Sequence, residues 1–287
     1  DRPLLWGGHK WDARVYALVL NAKHTGDAAS PGHGHLGLEC FLAREGLARV
    51  CVDPYEQPGP RNLHRTMMNL TNYSISKLSE RYVHNEDPAN GTRGCKRTLS
   101  AVFRHLECRA ASADVIINAE ETWQALGVLV RGTVDAMAAS IRSVALEAAT
   151  WEADVAAQPL EERLGRCFHL VGLDVILDDA GKLWLLEVNS CPSLSLEEVR
   201  PLTGVSSLAE THQLFAMATQ ERREHLPRWG KVCRCGKMPR PHAHYQCPVD
   251  VAVKLPVVEG ALSIVRRASE NAVDAASWAD GTIYQRV

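Results

Sequence analysis

The stretch Phe168–Leu194, FHLVGLDVILDDAGKLWLLEVNSCPSL, decides how this chain is read. Two apolar runs, HLVGLDVIL and KLWLLEV, flank Asp178-Asp179-Ala180-Gly181, whose residues carry turn chemistry, and the pattern predicts a β-hairpin. A turn centred between Ala180 and Gly181 sets Asp174 opposite Glu187. Like charges facing each other on one sheet face destabilise it, and an unpaired carboxylate in an apolar strand is costly. A cation is therefore expected between them. Asn189, two residues past Glu187, points to the same face, and Gly172 opposite it leaves room. Two carboxylates and an amide oxygen suit Mg²⁺, a hard cation usually held by one or two carboxylates plus substrate phosphates. A protonated acid, or an arginine reaching in from elsewhere, would answer the same electrostatic demand.

The rest of the chain bounds this reading. Its 287 residues allow one large domain or two small ones, and 46% apolar residues suffice for a sizeable core. A net charge of −2 provides no global field for nucleic acid, although residues 55–110 and 200–247 lean basic and 111–199 lean acidic. No apolar run approaches the ~20 residues of a bilayer span, and nothing resembles a signal peptide. The nine cysteines are scattered and odd in number, with Cys40, Cys51 and Cys167 inside apolar runs; this reads as reduced, intracellular thiols.

Along the chain, WDARVYALVLN (11–21) alternates like a strand, and residues 22–35 form a Gly/Pro/Ser loop. GLECFLA and GLARVCV read as two further strands with Arg44-Glu45-Gly46 as the turn between them. Lys96–Arg109 carries Leu99, Val102, Phe103 and Leu106 at helical spacing, and the Ala-rich 120–157 predicts one long helix or two in series. Residues 201–247 are basic, with several His and Cys and little periodicity. Helical pattern resumes at Val249, interrupted by Pro256, and the final ~20 residues are polar and expected to be loosely ordered.

Several clusters could carry chemistry. Lys10, Asp12 and Arg14 alternate onto one strand face, either as a solvated edge or as a cleft that grips phosphate and carboxylate, which the arginine fork suits. Asn69-Leu70-Thr71-Asn72-Tyr73-Ser74 is a loop of short polar residues with ordinary turn chemistry as its plain reading. Cys233, Cys235, His242, His244 and Cys247 are candidate Zn²⁺ ligands, set against a merely His-rich basic loop. CxC is not the usual CxxC, and HxH turns two rings to one side only in an extended segment. His33 and His35 are a weaker pair still. Cys191 has no neighbouring His to act as its base, and no GxxxxGK[ST] loop is present.

With these residues in view, the chain resembles the tubulin tyrosine ligase-like family. The matching pieces are PLLWGGHKWDARVYALV, AREGLARV, NLHRTMMNLTNYSISK, GCKRTLS, the hairpin through LLEVNSCPSL, and VDVAVKLPVVEGALSIV. Their wording looks most like the polyglutamylase members. The resemblance implies an α+β, ATP-grasp fold, here its C-terminal portion, an antiparallel sheet with packed helices. It implies an ATP-dependent amino-acid ligase that (poly)glutamylates tubulin tails, with ATP phosphorylating a tail carboxylate and a free amine attacking the acyl-phosphate.

By the same resemblance, Asp174, Glu187 and Asn189 would hold Mg²⁺, and Arg14 would meet the transferred phosphate with Lys10 and Asp12 beside it. Thr71 and Asn72 would sit at the nucleotide, Arg44 would grip a substrate carboxylate, and Lys96 and Arg97 would contact the acidic tail. Implied partners are microtubule tails and free glutamate. The protein would act as a monomer in the cytoplasm on the microtubule cytoskeleton, with cilium or basal body as a further place. Glycine ligation, or a catalytically dead microtubule-binding remnant, are the competing readings. Expected divisions are 1–200 for the C-terminal part of the catalytic domain, 201–247 for a basic insert, 248–266 for a closing helix and 267–287 for a polar tail. The chain departs from the family pattern at Asn69, where His is usual, in a long 22–35 loop, and in the absence of the family's glycine-rich ATP-binding half. A chain lacking that half is expected to be inactive, or unfolded at its open edge, when alone.

Overall fold

The computed structural model describes residues 2–21, 38–109, 117–149, 168–201, 242–270 and 275–287. Its centre is a six-stranded antiparallel sheet. The strands are β1 (Trp11–Asn21), β2 (Leu38–Val50), β3 (Lys96–Thr98), β4 (Phe168–Leu177), β5 (Leu183–Asn189) and, after two further strands, β8 (Tyr284–Arg286). The order is β3-β2-β1-β4-β5, with β8 on the other half of β2. A separate ladder joins β6 (Glu197–Pro201) to β7 (His242–Gln246). Short helices α1 (Thr66–Asn69) and α2 (Tyr73–Ser76) precede β3, and α3 (Leu99–Arg109), α4 (Ala119–Ala149) and α5 (Pro248–Ser269) cover the sheet.

Alternation along β1 sorts the two faces. Ala13, Val15, Ala17 and Val19 join Leu173 and Val175 of β4 in a core closed by Leu99, Val102 and Phe103 of α3 and by Trp123, Leu126 and Val130 of α4. On the opposite face, Tyr16, Leu18 and Leu20 pack with Phe41 and Leu47 under Val249, Val253, Val257, Ala261 and Ile264 of α5. The remaining in-face residues of β1 on that side, Asp12 and Arg14, are charged. Helix α5 therefore covers only the apolar part of this face, and the polar part is left as a cleft.

Several local expectations change. Arg44-Glu45-Gly46 is not a turn, because β2 runs unbroken through it. The pairing passes from Val15↔Gly46 to Ala17↔Leu42, so Tyr16 faces a bulge of Ala43–Glu45. A bulge lets turn-like residues sit within a strand without ending it. Lys96-Arg97-Thr98 is a strand rather than the start of the helix, being held by Leu47↔Thr98 and Arg49↔Lys96. Pro256 does not interrupt α5, which continues through it. A proline in a helix removes one hydrogen bond at a cost of about 3 kcal/mol, and the buried stripe from Val249 to Ile264 offsets it. The C-terminal residues are not a loose tail either. Tyr284 is buried, pairs in β8 with Ala43, and donates its hydroxyl to the Val257 carbonyl at 3.0 Å. The expected insert is bracketed by the β6–β7 ladder, with Pro201 opposite His242. Most of the insert, like the 22–35 loop with His33 and His35, lies outside the described residues.

Candidate functional site

The hairpin pairs as its sequence suggests, but by a different route. Leu177 faces Leu183 across a five-residue loop, and Gly181 there adopts φ 79°. Asp178 organises the turn. Its carboxylate accepts the Ala180 and Lys182 backbone N–H groups and the Trp184 indole N–H. Carried straight on, that register would set Asp174 against Leu186. A bulge between Asp174 and Val175 skips Leu186, and Asp174 meets Glu187 while Gly172 meets Asn189. The bulge thus brings the carboxylate of Glu187 to the Arg14 side of the strand, a re-aiming that bulges commonly provide.

The cation between the acids is supplied by arginine. Register places Arg14 of β1 opposite Asp174 and Arg49 of β2 opposite Asp12. Arg14 donates to both Asp174 oxygens, from Nη2 at 2.9 Å and from Nε, and its Nη2 lies 4.0 Å from Glu187. Arg49 forks onto Asp12 at 2.8 and 2.7 Å and bridges to Asp174 at 2.7 Å. Bidentate guanidinium–carboxylate pairs are the strong form of this contact. Burial pushes the Asp174 carboxyl up, but the Arg14 hydrogen bond and the charges of Arg49 and Arg14 outweigh it and hold it below the ordinary value. Burial likewise opposes the charge on Arg49, and Asp12 and Asp174 more than restore it. The alternative of an arginine from elsewhere, rather than a protonated acid, is what the structure contains. Gly172 is kept free of a side chain by this arrangement. A Cβ there would stand 2.9 Å from Pro192 Cβ and 3.1 Å from Arg14 Cδ.

The other residues expected at the site divide between two faces. Thr71 donates to Asp12 at 2.5 Å and is buried, so it props the acid. Asn72 lines the cleft. Lys10 reaches the Asn69 carbonyl at 2.8 Å and lines a neighbouring hollow of about 570 Å³ with Tyr55, Asp178 and Trp184. The Asn69 contact runs through its backbone, so the departure from His does not touch it. Lys96 enters the cleft, whereas its neighbour Arg97 turns to the opposite face, over the Trp6 ring at 4.8 Å, where burial brings it down to about 10. Arg44 is also on the far side, bonded to Glu120 of α4 and 5.5 Å from the Trp123 ring centroid. Neither Arg44 nor Arg97 is brought together with Arg14, because a strand alternates its side chains and the bulge at Ala43–Glu45 re-aims Arg44.

Three residues that sequence reasoning missed complete the cleft of about 540 Å³: Arg49, Asp250 and Lys254. Asp250 is buried at the first turn of α5. It accepts Lys96 Nζ at 2.5 Å and Lys254 Nζ at 2.8 Å, while the Lys96 ammonium lies 4.4 Å from the Tyr73 ring centroid. The i, i+4 spacing of Asp250 and Lys254 was a readable signal. Beside the cleft, Glu198 of β6 pairs with His84 at 3.1 Å and with Arg200, and Tyr73 accepts the Val199 N–H at 2.6 Å.

Of the candidate zinc ligands, Cys233 and Cys235 lie outside the described residues. His242 and His244 do sit in an extended strand with ring centroids 5.9 Å apart. His244 Nδ1 is 3.0 Å from Glu197, His242 is buried, and Cys247 precedes α5 with its thiol pushed up to about 12 by burial. Among the described residues, no group of three or more His, Cys, Asp or Glu is gathered as a metal centre.

The donors nonetheless fit a divalent cation at one place. Glu187 is 54% exposed and accepts only one weak neighbour among the described residues, Asn189 Nδ2 at 3.0 Å, while Asn189 itself lines the cleft. Asp174 has one oxygen lone pair beyond its three guanidinium contacts. Two anchors with a shared third is an arrangement that Mg²⁺ accepts, since it keeps several waters.

An antiparallel sheet with helices on both faces, and a charged cleft where one helix stops short, makes this a mixed α/β domain of the ATP-grasp-like class. Residues 1–203 match the tubulin-tyrosine ligase family, and the chain belongs to it. It is 33% identical over 196 residues to tubulin polyglutamylase TTLL11 of Mus musculus, covering 68% of this chain and 23% of the relative. Tubulin polyglutamylase ttll-11 of Caenorhabditis elegans is 32% identical over 195 residues, with 68% and 24% covered. Tubulin polyglutamylase TTLL5 of Homo sapiens is 32% identical over 197 residues, with 69% and 13% covered. The chain thus spans about a quarter or less of these curated relatives.

Proposed function

We propose that this protein is an ATP-dependent ligase that adds glutamate to the acidic tails of tubulin. The observation that carries the reading is the cleft on the uncovered part of the sheet. There Arg14 and Arg49 are pre-set by buried carboxylates, and Glu187 and Asn189 remain open beside them. Family membership and three relatives named as tubulin polyglutamylases support the substrate class.

Each residue then has a physical task. Glu187 and Asn189 would hold Mg²⁺, with Asp174 sharing an oxygen. ATP, when bound with that ion, supplies the phosphoryl group that turns a carboxylate oxygen into a leaving group. Arg14 presents a fixed cation where negative charge gathers, and the lack of reorganisation is what makes such a group effective. Asp12, Thr71 and Arg49 keep Arg14 and Asp174 in register. Lys10, in the adjoining hollow beside Tyr55 and Trp184, provides a second cation for the nucleotide.

The test is incubation of the full-length protein with tubulin, ATP, Mg²⁺ and labelled glutamate or glycine. Transfer of glutamate to tubulin supports the reading, and transfer of glycine alone reassigns the amino acid. If neither label is incorporated, the proposal is wrong.

A further inference from the structure

The cleft is divided electrostatically. Its hairpin half sets Asp12, Asp174 and Glu187 against Arg14 and Arg49, a surplus of one negative charge. Its α5 half sets Lys96 and Lys254 against Asp250. On the rim of that half, Lys77 stands over Tyr73, and Glu197 is engaged by His244. Three lysines therefore face two carboxylates, a surplus of one positive charge. A surplus of one sign attracts an ion of the other, so the first half favours a cation and the second an anion.

The geometry singles out Lys254 within the second half. Lys96 has its ammonium occupied by Asp250 at 2.5 Å, the Tyr73 ring face at 4.4 Å and Cys247 Sγ at 3.7 Å. Lys254 is ion-paired with Asp250 at 2.8 Å and donates to the Ser195 carbonyl at 2.7 Å. An ammonium has three N–H donors, so Lys254 keeps one for the cleft, where Ser193 and Asn72 offer neutral polar groups beside it. Burial also weakens its hold on its own proton, as does neighbouring Lys96 against the pull of Asp250, and a bound anion would relieve that strain.

We propose that Lys254, steadied by Asp250 and Lys96, is the carboxylate-binding residue of the cleft, taking the carboxylate of either the free amino acid or the acceptor side chain. The assignment rests on the ligase reading above and adds a subsite to it. A phosphate belongs instead to the hairpin half, where the open carboxylate and amide favour the accompanying metal ion.

The test uses the full-length protein carrying Lys254→Gln, with initial rates measured while glutamate, tubulin and ATP are varied separately. Loss of one charged hydrogen bond predicts a KM about tenfold to a hundredfold higher for glutamate or for tubulin. The reactant whose KM rises is the one whose carboxylate Lys254 binds. ATP KM should stay within about twofold, because uniform binding of another reactant is lost. Lys254→Arg, which keeps a charge on a bulkier fork, should shift the same KM by a smaller factor. Both KM values unchanged in a folded variant, or a rise confined to ATP, overturns the subsite. If Lys254→Gln shows no melting transition, unchanged KM values in Lys254→Arg overturn it equally. A wild-type protein that transfers no amino acid overturns the ligase reading instead. Calorimetric titration with glutamate and with a tail peptide then still tests the subsite, which requires binding of one of them that Lys254→Gln weakens.

Discussion

Replacing Arg49 by Met should unbalance the site more than any other single change on the sheet. The guanidinium makes three contacts of 2.7–2.8 Å, two to Asp12 and one to Asp174. Both acids are almost fully buried, at 4% and 3% exposure. Removing one partner from a buried ion pair costs about 3–5 kcal/mol, because the remaining charge is left without compensation. Asp174 keeps Arg14, so the loss falls mainly on Asp12, which among the described residues retains Thr71. The expected destabilisation is therefore at the lower end, about 3 kcal/mol. Urea titration of the wild type, Arg49→Met, Asp12→Asn and the double variant measures it as a thermodynamic cycle. Neutralising Asp12 in the Arg49→Met background should recover about half of the loss, so the coupling is about 1.5 kcal/mol plus whatever Asp12→Asn costs alone. A coupling under about 0.5 kcal/mol would show that Arg49 and Asp12 are not the energetic pair described here.

Other consequences are open to simpler measurements. Glu187→Gln removes the only open carboxylate among the described residues of the hairpin face, and it should lower ligation about a hundredfold while raising the Mg²⁺ concentration needed for half-maximal rate; unchanged Mg²⁺ dependence would remove Glu187 from the metal set. Glu198 would be pushed up by burial, but His84 and Arg200 bring it from the ordinary 4.5 down to about 2. Its folded value lies below its unfolded one, so this stability is present above 4.5 and lost as pH falls toward 2. The loss is about 3 kcal/mol at most, and acid titration of Glu198→Gln should lack that component. Gly172→Ala inserts a methyl 2.9 Å from Pro192 and 3.1 Å from Arg14, which predicts a loss of about 1–3 kcal/mol and a displaced Arg14, read by melting and by KM. Joining Pro201 to His242 by an Asn-Gly turn in place of residues 202–241 should preserve the sheet, since the two residues already face each other in a ladder; loss of the melting transition would show that the insert contributes to the core.

How far the sequence could be read depends on periodicity. The acid pair of the hairpin was legible because antiparallel pairing follows from alternation and a turn. Its route was not, because Leu183 to Leu186 is an unbroken apolar run without alternation, and a bulge there leaves no compositional mark. The identity of the cation was equally hidden. Arg14 lies 160 residues from Asp174 in sequence, and only the strand order brings them together. Arg49 is hidden although GLARVCV reads as a strand, since a turn at Arg44–Gly46 would fold that strand back on GLECFLA, whereas both halves lie in line along β1. The role that the resemblance implies for Arg44 belongs to the cleft face, and the bulge sets Arg44 on the other one, against Glu120 and Trp123. Lys96-Arg97-Thr98 is too short for a strand signal, and two adjacent strand residues necessarily point apart, which separates Lys96 from Arg97. Pro256 and the polar C-terminus were misread because local propensity was weighed without the core that overrides it, in one case the α5 stripe and in the other Tyr284.

The charged end of β1 is hard to explain as a device for stability. Buried ion pairs are often no better than well-packed apolar residues of similar volume, and can be worse. Positions 12, 14, 49 and 174 continue strands whose neighbours are Ala, Val and Leu, so apolar residues there would extend the same sheet. They would also let α5 cover the whole face. Charge at these positions leaves that part of the face uncovered, with Asp250 and Lys254 of the first two turns of α5 at the edge of the opening. The cleft thus comes from one feature, the change from apolar to charged residues along β1. A network that contributes little net stability, yet leaves a carboxylate beside Arg14 and a spare ammonium on Lys254, is what the proposed ligand site would require.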